Sequence, residues 1–183
     1  MVNNKGTATK GFAFITLSLL AFLGLGLEAL LGFLIEPLIY NKSINEFSAS
    51  EIIIHWILTC ILWFITSVIL IHVAKKKLGF DLLSQKEPVS RGRLFLSIGL
   101  LVISVVISII DWNGLKVVKE LQNNGWLKFI FQYIYYIFEV GLFVLLIVFA
   151  QEAGEIWFKK RNIPWGGILL SLTWGLAHNL CIS

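Results

Sequence analysis

Charge is what this sequence has least of. Asp, Glu, Lys and Arg together make up 14% of its 183 residues, against roughly one quarter in ordinary soluble domains. That scarcity excludes a conventional soluble fold. Cysteine is nearly absent as well: Cys60 and Cys181 both sit inside apolar runs, which excludes a disulfide framework and leaves the redox compartment unread. Only three prolines interrupt the chain, and no internal repeat or low-complexity tract is evident. What is present in quantity is apolar surface, 57% of all residues.

The apolar residues fall into five runs, 11–35, 52–74, 94–110, 127–150 and 165–183. Each is close to the roughly 20 residues that cross about 30 Å of hydrocarbon. Lipid offers the backbone no hydrogen-bond partner, and continuous runs do not fit the alternation of a barrel. The sequence therefore predicts an all-α, polytopic transmembrane bundle of about five spanning helices in a single membrane domain. The first run continues through Glu28 to Pro37, beyond the 7–15 residues or so of a signal-peptide core, and is expected to stay as an uncleaved span.

Basic residues set the orientation. Lys5, Lys10, Lys75, Lys76, Lys77, Lys86, Arg91, Arg93, Lys159, Lys160 and Arg161 lie on the side of the amino terminus, and Lys42, Lys116, Lys119 and Lys128 on the other. Eleven against four places the amino terminus inside, as expected for an integral protein of the cell membrane. The net charge of +4 is then mainly a topology signal, and no nucleic-acid surface is read from it. The connector "KKKLGFDLLSQKEPVSRGR" is expected along the inner interface with its apolar side down. On the far side "DWNGLKVVKELQNNGW" is a short amphipathic link whose Trp112 and Trp126 suit the headgroup belt.

An ionisable group inside a span is by default functional or one half of a buried pair. Glu28 comes about 26 Å into the first span, near the outer interface, and His55 opens the second span from that side. The two either meet as a structural or proton-linked pair or reach water separately. Glu139 lies about 16 Å and His178 about 20 Å from the inner ends of the fourth and fifth spans. A carboxylate and an imidazole at one depth on neighbouring helices can lock those helices, share a proton, hold a metal or position water. In "QEAGEIWFKKR", Glu152 and Glu155 stand one turn apart, either as a base with its partner or as a balance for Lys159, Lys160 and Arg161. His178 and Cys181 alone do not make a metal site.

The stretch "WGGILLSLTWGLAHNL" resembles the second motif of the CPBP intramembrane metalloproteases, the group related to CAAX prenyl proteases and to bacteriocin-processing and self-immunity proteins. That motif is an aromatic residue, three residues, then a metal-directing histidine. Trp174 to His178 fill it, with Trp for the usual Phe. "KKLGFDLL" is similar to a connector common in those proteins. The family's first motif, a Glu pair followed by Arg three residues on, is nearest to "GEIWFK", where Gly154 and Lys159 replace Glu and Arg, and Glu155 and Phe158 are kept. The third motif, a second histidine with Asn or Asp a turn later, would lie on a later helix. With the fifth run reaching the last residue, the chain is expected to be the amino-terminal part of a longer protein.

The resemblance implies a metal-dependent intramembrane endopeptidase, with Glu155 or Glu139 as catalytic base, His178 as catalytic residue and metal ligand, a divalent cation such as zinc, and a membrane-embedded peptide or protein as substrate. Two other readings stay open: a non-enzymatic binding or immunity protein of the same kind, favoured by Gly154 and Lys159, and a small proton-coupled carrier built around Glu139 and His178.

Overall fold

The computed structural model describes residues 4–84 and 90–176, the side chains of 4–7 excepted. Every element in them is helical: α1 (Asn4–Leu25), α2 (Leu27–Leu30), a π-helical turn (Leu31–Ile35), α3 (Glu36–Tyr40), α4 (Ala49–Leu78), α5 (Arg91–Asp111), α6 (Lys116–Phe158) and α7 (Trp165–Leu170), with short 3-10 turns at Ile44–Glu46 and Leu82–Ser84 and a second π turn at Ser171–Gly175. Four stretches are long and apolar enough to cross a membrane: Ala8–Tyr40, Ala49–Leu78, Arg91–Asp111 and Lys116–Phe158. They correspond to the first four apolar runs. The fifth run enters the structure as α7 and its π turn, and its remainder, with His178, lies outside the described residues.

The bundle is built on α1, α4 and α6. Phe14, Leu17, Ala21 and Leu25 recur at helical spacing on α1 and meet Trp63, Leu70 and Ala74 of α4 and Leu142, Leu146, Phe149 and Ala153 of α6. Between helices already in lipid, close packing and polar bonds do the holding that water exclusion does elsewhere. Two such bonds tie the triangle: Ser18 donates to the Leu146 carbonyl at 2.7 Å, and the Trp63 indole to the Gly24 carbonyl at 2.9 Å. α5 has no buried residue and stands outside this core.

Capping chemistry sets the helix limits. Ser48 and Glu51 form a reciprocal box at the start of α4, and Gly79, left-handed at φ 65°, ends it. Beyond Gly79, Phe80 turns inward against Phe14 and Phe149, at 5.3 and 6.3 Å between rings. The connector's apolar side therefore closes the end of the bundle, while Leu83 stays 83% exposed. At the opposite end the amphipathic link runs into α6 through Gly125 (φ 67°, ψ 169°), a conformation open essentially to glycine alone. The first turns of α6 fold back there, and Glu120 is buried under hydrogen bonds from Tyr133 (2.9 Å), Tyr136 (3.1 Å) and Gln132 (3.2 Å).

Candidate functional site

The first span does not cross as one regular helix. It turns at Gly26, widens to π geometry over Leu31–Ile35 and meets Pro37 in the first turn of α3. Proline has no N–H and crowds the carbonyl four residues before it, so the helix loosens just upstream. In a regular helix Glu28 and Glu36 would point about 80° apart; one residue of π insertion reduces this to about 20°. Both carboxylates thereby come to face α4.

His55 stands between them. Its Nδ1 lies 2.7 Å from Glu36 Oε2, and its Nε2 lies 3.8 Å from Glu28 Oε1. Imidazole and Glu36 are closed off, with side chains 4% and 2% exposed, whereas Glu28 is 35% exposed and forms the open end. Gly32 permits this approach: a β-carbon there would come 2.7 Å from Ile44 and 3.2 Å from the His55 ring. One turn along α4, Thr59 is fully buried, and its hydroxyl, like Glu36 Oε1, has no hydrogen-bond partner among the described residues.

α6 closes the third side. Tyr135 is buried against Trp63, 4.9 Å between rings, and interacts with Glu28. Glu139, half-buried one turn further, lies in electrostatic range of Glu28, Tyr135, Tyr136 and Lys116. The arrangement is an imidazole with an acid at each ring nitrogen, backed by a tyrosine and a third acid. It suits the holding and passing of protons.

The predicted residues divide between this cluster and the opposite end of α6. Glu139 belongs to the cluster. Its expected partner His178 lies outside the described residues. Glu155 sits at the other end, accepting from Gln151 at 2.9 Å and pairing with Arg161 at 3.4 Å. Gly154 beside it is buried under the Trp165 ring, which a β-carbon would strike. Trp165 is fixed by its bond to the Lys160 carbonyl (2.9 Å) and by stacking on Phe158 (4.4 Å). Gln151 also donates to Ile163 (3.0 Å) and accepts from the Gly166 amide (3.2 Å), so α7 is stapled antiparallel to α6. Trp174, the aromatic residue of the resembling motif, packs edge-on against Phe143 at 5.1 Å.

The sequence left open whether His55 meets Glu28 or reaches water separately; the structure brings the two within 3.8 Å, and the nearest acid to His55 is Glu36 at 2.7 Å, which the sequence did not single out. An available signal was an acid directly before a helix-breaking proline, across a short loop from an intramembrane histidine. Among the described residues no group of three or more His, Cys, Asp or Glu side chains could hold a metal ion, and His178, the expected ligand, lies outside them. No family model, no curated protein and no solved structure matches the chain.

Proposed function

We propose that the protein is a small proton-coupled membrane carrier, worked by a proton shared among Glu28, His55 and Glu36. The observation that carries this reading is the imidazole faced by a carboxylate at each ring nitrogen, buried where the first span is broken. A proton gained or lost among groups so close changes the charge that the site must bury. Glu28 is the member open to exchange, and Glu36 the closed one. The helix break lies beside the proton site, so a change of charge there acts directly on the loosest part of the first span. Protonation of His55 draws both acids toward α4, and its loss lets Glu28 and the π-helical turn relax.

The test is uptake into proteoliposomes of the full chain under an inward proton gradient, over a panel of amino acids, short peptides, organic acids and sugars. Accumulation of at least one solute, collapsed by a protonophore and abolished in Glu28→Gln, the mildest change in the cluster for the fold, is expected. Uptake of none, or uptake indifferent to Glu28→Gln, overturns the carrier.

A second reading follows from Trp174 to His178, whose spacing favours a CPBP-like protein. Within it, Gly154 under Trp165 and the engagement of Glu155 by Gln151 and Arg161 favour the non-enzymatic binding or immunity form over the endopeptidase. Incubation of the zinc-supplemented protein with prenylated CAAX peptides is then expected to give no cleavage. Cleavage lost in His178→Ala would restore the endopeptidase.

A further inference from the structure

The far-side half of the bundle carries a groove between α4 and α6 with a volume of about 370 Å³. Trp56, Cys60 and Phe64 form one wall, and Phe131, Ile134 and Phe138 the other. From Trp56 to Phe64 it runs about 12 Å along the helix, most of the roughly 15 Å that one leaflet's hydrocarbon occupies. Its lining is apolar throughout, and it belongs neither to the Glu36–His55 cluster nor to the α6–α7 contact.

The mouth of the groove is not neutral. Lys128, one turn beyond Phe131 toward the headgroups, holds its ammonium 5.9 Å over the Trp56 ring. No carboxylate pairs with it among the described ion pairs, although Lys42 and Lys116 on the same side each have one. Trp126, 72% exposed, stands two residues further out, at a position suited to the interface. A cation at headgroup level above an apolar channel of leaflet depth is complementary to one kind of molecule.

We propose that this groove binds the acyl chain of an anionic phospholipid, with the lipid phosphate against Lys128. The Trp56 ring serves as the hinge between the two parts, giving its face to the ammonium and its edge to the chain. A free phosphate would have no use for the aromatic walls, and a zwitterionic lipid would set its own cation near Lys128.

Native mass spectrometry of the full chain, purified with equal amounts of phosphatidylglycerol and phosphatidylcholine, tests this. One phosphatidylglycerol is expected to be retained over phosphatidylcholine by about fivefold, the effect of a single lysine at an anionic surface. Lys128→Gln, a half-buried position on an intact helix, should bring that ratio to about one, and Cys60→Trp, which fills the channel, should lose both lipids. Equal retention by the wild-type chain, or an unchanged ratio in Lys128→Gln, overturns the proposal. So does a dimer that carries no lipid and cross-links through Cys60. Unchanged melting of Lys128→Gln in detergent shows that the fold is intact.

Discussion

Glu36 Oε2 and His55 Nδ1 are 2.7 Å apart, with side chains 2% and 4% exposed. Removing one member of a buried pair leaves the other uncompensated, at a cost of about 3–5 kcal/mol. His55→Ala and Glu36→Leu are therefore expected to lower the melting temperature in detergent substantially. Glu36→Gln, which keeps a hydrogen-bonding oxygen, should lose much less. Glu28→Gln should be milder still, since its carboxylate is 3.8 Å away and partly exposed. Equal losses for Glu28→Gln and Glu36→Leu would contradict the geometry.

These assignments show how far the sequence reaches. Helical class and the first four spans were legible because apolar run length is a direct response to bilayer thickness. Boundaries shifted where polar residues prolong helices: the fourth run, 127–150, became α6 from Lys116 to Phe158. Depth along a span could also be counted, and it placed Glu28 and His55 in one layer. Direction around the helix axis could not. A π turn rotates everything after it, so Glu36 came onto the Glu28 face unannounced. For Glu139, depth alone was equally compatible with the α2 side, where the structure places its electrostatic neighbour Glu28. The isolation of α5 was not legible either, because an apolar run fixes that a helix spans and leaves open which helix it packs against.

Gly154 is filled from outside by Trp165, so a larger side chain there should break the α6–α7 contact. Gly154→Ala is expected to cost about 1–3 kcal/mol through overpacking, and Gly154→Glu more. Limited proteolysis within residues 159–164 reports the opening. Trp165→Ala in the Gly154→Ala background makes room for the new methyl group. The double variant should therefore be less destabilised than the sum of the singles, and strict additivity would show that the two residues do not touch.

Lys75 and Asp81 pair at 2.7 Å beside the Gly79 cap, and the ammonium holds the Asp81 carboxyl below its usual range. A carboxyl lowered by folding stabilises the protein above its unfolded value and loses that contribution as pH falls through the folded one. No change from this pair is expected between about pH 5 and 8. Because the pair is exposed and screened, Asp81→Asn should be nearly neutral at pH 7. It should also flatten any loss of stability seen below the ordinary carboxylate range. A drop at pH 7 comparable to that of His55→Ala would mean that the pair holds the bundle end rather than trimming it.

Gly125 decides where Glu120 goes. Its φ of 67° with ψ of 169° lies in a region that costs a side chain about 1–3 kcal/mol, while a continuous helix through this point would carry Glu120 away from Tyr133 and Tyr136. Gly125→Ala is thus expected to straighten α6 and expose the carboxylate. A cysteine in place of Leu121, which leaves the Glu120 bonds in being, should then label faster with a water-soluble maleimide than the same cysteine beside Gly125. The strain at residue 125 and the tyrosine bonds at Glu120 oppose each other. Glu120→Ala alone, which removes those bonds and keeps the kink-permitting glycine, should release the same turns with a smaller loss of stability than the double change. Identical labelling with and without Gly125→Ala would place the bend under the control of the surrounding packing instead of this residue.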